Sequence, residues 1–304
     1  MKKINVFMGG ICLVAFIVVQ TLFYDKYEFG DWRGYVAEVL AMLLAALGAV
    51  LLMPKKTPSS KVIAVKRKNS KALNKRTVLS AFMTLIAIPF TIWIGIKFFG
   101  DRRYYIISLL IILEILLPFF VSFERRRPDA KELVFISLIC AVAVAGRAVF
   151  FMLPQFKPVI AMVVIVGICL GGETGFLVGA ICAFVSNFYF GQGPWTPWQM
   201  LGFGMVGLLS GIVFQKNLIS ITKTNICIFG GLATVLIYGG IQNPASLIMM
   251  GEALNLKSLV AIYISGLPFD LMHATASVLF LWALAEPMIE KIERLKVKYG
   301  LYLE

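Results

Sequence analysis

Long apolar runs, separated by short polar segments, dominate the chain. Ten stand out, at about 4–23, 35–53, 77–99, 104–123, 132–153, 158–172, 174–190, 199–215, 225–241 and 258–284. Most hold about 20 residues, enough for a helix rising 1.5 Å per residue to cross roughly 30 Å of hydrocarbon. The runs are continuous rather than alternating, which predicts helices and not the strands of a barrel. The sixth run is short and interrupted by Gly167, Gly171 and Gly172. The last is long, with a bend expected at Gly266-Leu267-Pro268, where Pro268 removes a backbone donor. The pattern predicts an all-α polytopic membrane protein with about ten transmembrane helices.

Composition and charge set the direction of threading. The 304 residues are 60% hydrophobic and only 15% charged, against about a quarter charged in soluble domains. Mean hydropathy is +0.87. The net charge of +13 does not point to nucleic acid, because the basic residues fall in loops between the runs. With the N-terminus inside, the inner segments hold 21 Lys and Arg and the outer segments 6, a positive-inside distribution. This reading puts the chain in the cell membrane as a multi-pass protein with both termini cytoplasmic. It places 153–158, 191–198 and 242–257 outside. Lys2 and Lys3 followed by an apolar stretch resemble a signal peptide, but no small-residue cleavage site follows, so an uncleaved first span is expected. Cys12, Cys140, Cys169, Cys182 and Cys227 all lie in apolar runs without metal-ligand spacing and read as small core residues.

Composition also changes along the chain. Residues 1–130 form an accessory region of four spans with few polar side chains at depth, apart from Glu114. They include a basic cytoplasmic loop, 54–76, suited to anionic lipid. Residues 131–304 form a six-span unit richer in Gly, Pro and buried polar groups. The two meet at RRRPDAKE, 125–132.

Several chemistries have no visible carrier. There is no phosphate-cradling G-x-x-x-x-G-K-[ST], no H-E-x-x-H, no G-x-S-x-G and no pair of carboxylates at helical spacing. His273 is the only histidine. No enzyme, cofactor or metal is expected. Ionisable groups at depth usually pair or face a wet cavity. Arg147 lies near the outer end of the fifth span, and Asp270 and His273 lie one helical turn apart. Two readings stay open: an Arg147–Asp270 pair holding two helices together, or these groups as the wall of a ligand pocket. Glu173, in GGETG, reads as a helix start where a carboxylate suits the dipole, and Glu114 has no evident partner. Ala141 and Ala145 stand at small-xxx-small spacing, as do Gly202, Gly204, Gly207 and Gly211 in an adjoining span. Such faces admit close helix approach, within the chain or by a separate membrane subunit.

The stretch FVSNFYFGQGPWTPWQM, 184–200, places Trp195 and Trp198 beside Asn187, Gln192 and Gln199, stiffened by Pro194 and Pro197. Interfacial Trp is common in membrane proteins, so a simple aromatic belt is one reading. A pocket that stacks and orients a flat polar ligand is the other. The segment 152–159 adds Gln155, Phe156 and Lys157, and the loop 242–257, with Gln242 and Asn243, could close over the top. The candidate substrate-binding residues are Arg147, Gln155, Asn187, Trp195, Trp198, Gln199 and Asp270.

GRAVFFMLPQFKPVIAMVVIVGICLGGETGFLVGAICAFVSNFYFGQGPWTPWQMLGFGMVGLLSGIVF, 146–214, with GLPFDLMHATASVLFLWALAEPMIEKIERLKVKYG, 266–300, resembles the substrate-binding S components of energy-coupling factor (ECF) vitamin transporters, most like those assigned to cobalamin. The resemblance covers about residues 131–304. It implies capture of a vitamin from outside, in complex with a membrane coupling subunit and two cytoplasmic ATPases, and delivery by toppling in the bilayer. It also implies docking through an A-x-x-x-A face on the first helix of the unit, matched here by Ala141 and Ala145, and ligand contacts from the outer loops. The four extra spans are not part of the minimal fold. Two other classes compete: a self-sufficient carrier using Asp270 and His273 as a proton relay, and an intramembrane enzyme acting on a lipid. The pocket reading predicts that Trp195→Ala weakens ligand binding, measured at equilibrium, by about 1–3 kcal/mol, the scale of one buried aromatic contact.

Overall fold

At the centre of the structure, a computed structural model, is a helix only twelve residues long. The residues described are 130–252 and 255–301, with isolated positions between 86 and 114. The spans expected at 4–23, 35–53, 77–99 and 104–123 and the basic loop 54–76 lie outside the described residues, those isolated positions apart. One such pair accounts for Glu114, whose carboxylate accepts a hydrogen bond from the Thr91 hydroxyl.

Among the described residues from 130 on, seven α-helices follow one another: α1 (Ala130–Val149), α2 (Val159–Leu170), α3 (Gly172–Phe190), α4 (Thr196–Gln215), α5 (Lys223–Ala233), α6 (Gly240–Met250) and α7 (Leu256–Tyr299). A π-helical segment, Thr234–Gly239, fuses α5 and α6 into one rod, Lys223–Met250. That rod, α1, α3, α4 and α7 are each long and apolar enough to cross a membrane. The chain is a multi-pass membrane protein.

The short sixth run becomes α2, at about 18 Å too short to span hydrocarbon by itself. Every residue of α2 is buried. It packs against α3, α4 and α7, while α1 lies on α3 and α5 on α7. Its sequence, VIAMVVIVGICL, is apolar on all sides because all its sides meet protein.

Such a helix cannot leave its last carbonyls to lipid. The Gln215 amide at the end of α4 donates to Ile168 O at 3.2 Å. The Lys296 ammonium from α7 donates to Cys169 O at 2.8 Å and is held by Glu293 at 2.9 Å. A cation there also meets the negative end of the α2 dipole. Gly171, with φ 101°, turns the chain straight into α3, a conformation glycine alone adopts freely.

Glycines bring α2, α3 and α4 together. A Cβ on Gly175 would lie 2.6 Å from Gly207 O and 2.9 Å from the Gly167 Cα, and one on Gly172 2.7 Å from Leu208 O. The small face of α4 therefore packs within the chain. Ser210 reaches Val164 O across the seam at 3.2 Å.

One expectation is corrected. The expected outer loop 242–257 is mostly helix, since α6 continues to Met250 and only the short segment after it separates α6 from α7. Pro244 sits inside α6 and leaves the Gly240 carbonyl without its helical donor. The Tyr263 hydroxyl donates to that carbonyl at 3.0 Å, which lets the helix run on. The helix α7 runs through Gly266-Leu267-Pro268 without interruption, and Gly266 gives room to the Asn243 side chain.

Gly207→Val should cost about 1–3 kcal/mol, the scale of overpacking, read as a lowered thermal midpoint in detergent. Gly240→Ala, where a Cβ meets nothing within 4 Å, should leave the midpoint unchanged or raise it. Lys296→Met, which strands Cys169 O and takes the ammonium from a largely buried Glu293, should cost about 3–5 kcal/mol in the same measurement.

Candidate functional site

Because helices alternate in direction, the segments 150–158 and 191–195 meet at one end of the bundle. Phe151 contacts both Tyr189 and Phe190, with centroids 5.7 and 5.2 Å apart, and the Lys157 ammonium lies 5.4 Å from the Phe190 centroid. Phe156 is buried against Phe150 and Phe280, at 6.2 and 5.4 Å. This anchors the first segment beside α7. The assembly is referred to below as the aromatic end.

The second segment is held by a continuous polar clasp. Gly191, with φ 98°, ends α3 and starts the turn. Gln192 reaches back, its amide donating to Phe184 O at 2.9 Å. The Thr196 hydroxyl donates to Gln192 Oε1 at 2.9 Å and accepts from the Gly193 amide at 3.3 Å. Asn187 Nδ2 donates to Thr196 Oγ1 at 3.0 Å and to Gln199 Oε1 at 2.9 Å. Pro197, in the first turn of α4, needs no helical donor there. The amides of this stretch thus tie the end of α3 to the start of α4.

Arg147 enters the clasp from α1. Its guanidinium donates to Asn187 Oδ1 at 3.0 Å and to the Ser186 hydroxyl. It also stacks over Phe190 at 4.5 Å and lies 5.9 Å from the Phe203 centroid. The residue is only 7% exposed. No ion pair joins it to Asp270. The Asp270 carboxylate instead accepts from Asn243 Nδ2 at 2.8 Å and lies against Gly239. The expected Arg147–Asp270 pair is therefore replaced by two separate arrangements. Asn187 already offers Arg147 a carbonyl oxygen, and Asn243, one turn beyond Gly239, lies nearest the carboxylate.

Phe203 continues the aromatic wall. Its ring stacks on Tyr238 at 4.8 Å with planes 11° apart, and His273 meets Tyr238 edge-on at 4.9 Å. Tyr238 lies in the π-helical segment. Such segments widen a helix by one residue per turn, and often mark functional positions. Four buried nitrogens around this wall have no hydrogen-bond partner: Arg147 Nε, Trp198 Nε1, Gln242 Nε2 and His273 Nε2. Buried polar atoms are rarely left so.

Of the seven residues expected to bind substrate, Arg147, Asn187 and Gln199 share one hydrogen-bonded network. Trp198 is buried on α4 at 2% exposure, whereas Trp195 is 41% exposed and covers Gly193. Gln155 lies in the first segment in a left-handed conformation, φ 53°. Asp270 stands apart with Asn243. Sequence reasoning missed Ser186, Phe190, Phe203 and Tyr238. Ser186 adjoins Asn187, and Phe203 follows Gln199 by one turn, which were usable signals. Tyr238 had none beyond a hydroxyl in an apolar run. Among the described residues, no group of three His, Cys, Asp or Glu could hold a metal ion.

Lys157 lies outside the helices, with its ammonium near Leu153 O at 3.4 Å. Burial, reinforced by the nearby positive charge of Arg147, lowers its pKa to about 8. After reductive methylation with a carbon-13 label, its NMR signal should titrate with a midpoint near 8. Arg147→Gln should move that midpoint upward, because a repelling charge is gone.

Comparison with known proteins places this architecture. The family model described as ECF-type riboflavin transporter, S component, matches residues 128–288, more than half of the chain. A UPF0397 protein of Aliivibrio fischeri (strain MJ11) is 33% identical over 96 residues, 29% of this chain and 52% of that protein. A UPF0397 protein of Vibrio atlanticus (strain LGP32) is 34% identical over 96 residues, with the same coverage. The chain spans about half the length of the curated relatives it matches. No solved structure matches it. The family match covers α1 to α6 and α7 as far as residue 288, and the chain belongs to the family of ECF-type riboflavin transporter S components.

Proposed function

We propose that this chain is the substrate-capture subunit of an ATP-driven ECF importer and binds a vitamin-type small molecule at the aromatic end. The observation that carries the reading is a clasped, buried polar and aromatic site with unpaired nitrogens, in a chain of the S-component family that has no ATP-binding motif. Energy then comes from partner chains, a membrane coupling subunit and two cytoplasmic ATPases. In this reading the aromatic end faces outside, a placement supported by the excess of Lys and Arg in the opposite loops, and toppling of the 130–301 bundle carries it inward.

Arg147, Asn187 and Gln199 line the ligand site in this reading. Trp198 and Gln155 sit beside it, Trp195 forms the outer lip, and Asp270 marks the far wall. The riboflavin in the family's description makes riboflavin the first compound to test. Cobalamin, suggested by the sequence resemblance, has no support from the family model and is a second choice.

Docking falls to α1. Ala141 and Ala145 are exposed on it together with Val134 and Leu138, while Ala143 faces the core. Small residues let a partner helix approach closely, and lipid would cover the same face at no cost until the partner arrives.

A proton-coupled carrier is the second reading, favoured by His273 Nε2, buried without a partner one turn from Asp270. Uptake by this chain alone, abolished by a protonophore, would establish it instead.

The test is equilibrium binding of riboflavin, cobalamin and a small vitamin panel to the purified chain without ATP. Tight binding of one compound is expected, with uptake only when the coupling subunit and ATPases are present. Ala141→Leu should leave binding intact and reduce coupled uptake at least about tenfold, a loss of roughly 1.4 kcal/mol in coupling. Unchanged uptake in that variant removes the docking assignment.

A further inference from the structure

Arg147 is a buried cation without an anion. No Asp or Glu lies within ion-pair distance of it among the described residues, and its hydrogen-bond partners are the neutral Ser186 and Asn187. Its Nε is buried and unpaired. Burying a charge in a membrane bundle without a counter-charge is far costlier than burying a neutral group. A second cation shares the place, since Lys157 and Arg147 lie over the same Phe190 ring at 5.4 and 4.5 Å. The Asp270 carboxylate, which acts on Tyr238 as Arg147 does, instead accepts a hydrogen bond from Asn243.

The unpaired nitrogens converge on one stretch of α4. Phe203 lies 5.9 Å from the Arg147 guanidinium and 6.3 Å from the His273 ring. A Cβ on Gly202 would be 3.6 Å from Gln242 Nε2. Trp198 precedes Gly202 by one helical turn, on the same face. Arg147 Nε, Trp198 Nε1 and Gln242 Nε2 can only donate. The wall between them is aromatic: Phe190, Phe203 and Tyr238. A ligand that satisfies this set brings a flat ring, several acceptors and negative charge.

The geometry points to a ring-bearing organic anion, a carboxylate or a phosphate ester, as the ligand class of this site, with Arg147 as its main counter-charge and Lys157 at its rim. This inference rests on the capture reading above and narrows its substrate class. A neutral flavin would leave both cations uncompensated. The Lys157 ammonium, with its pKa near 8, is still largely charged at neutral pH and available to the same anion.

Matched probes isolate the charge. Benzoate and benzamide have nearly the same shape, and phenyl phosphate adds the phosphate arm. Binding of each to the full purified chain in detergent is read by tryptophan fluorescence and by the thermal midpoint. Benzoate or phenyl phosphate should bind saturably and at least about tenfold more tightly than benzamide, and whichever binds better identifies the anion. Arg147→Gln should remove the preference, and Arg147→Lys should keep part of it. Lys157→Gln, at a half-buried loop position, should reduce the preference several-fold. The absence of any preference, including no binding of either anion, overturns the inference, as does a preference that survives both Gln variants. Tight binding of riboflavin that benzoate cannot displace removes the anion inference and leaves vitamin capture standing. An Arg147-dependent anion site in a chain that binds no vitamin does the reverse.

Discussion

A helix buried on every side must find protein partners for its last carbonyls, and that need organises this bundle. The twelve residues of α2 end deep among other helices, where lipid offers no hydrogen bonds. Gln215 and Lys296 come from α4 and α7 to meet those carbonyls. Both helices must therefore terminate or pass at one level, and the glycine seam lets α3 and α4 come close enough to do so. The tight turn at Gly171 follows from the same requirement.

With that end fixed, the opposite end is built on a rigid base. Asn187 Nδ2, the Gln192 amide, Gln199 Oε1 and the Thr196 hydroxyl tie α3 to α4. Asn187 Oδ1 holds Arg147 from α1 in place as well. A loop stiffened in this way presents its aromatic wall with little entropy left to lose on binding, which is the physical advantage of preorganisation. The groups left without partners are then the ones with a task still open, and they are nitrogens rather than oxygens.

In the proposed reading labour is divided: the membrane bundle with its clasped polar end holds the ligand, and partner chains power its passage. Membership in the S-component family fits that division, and the exposed small-residue face of α1 offers a place where a partner's work could enter.

Apolar run length by itself determined that the chain crosses a membrane as helices, and it located each helix of 130–301 to within a few residues at most ends. Motif spacing around Asn187, Gln199 and Arg147 was enough to expect a shared polar site. Where local rules misled, a distant side chain had intervened. Pro244 and the polar pair Gln242-Asn243 read as a loop, but Tyr263, 23 residues from Gly240, supplies the donor that keeps α6 helical. Arg147 and Asp270 read as natural partners by charge, but Asn187 and Asn243 lie nearer to each. Trp195 and Trp198 read alike, and the turn of α4 buries one and exposes the other. Periodicity depends on neighbours along the chain, so sequence carries it. The choice of hydrogen-bond partner depends on neighbours in space, so only the packing of α1, α3, α4, α6 and α7 decided it.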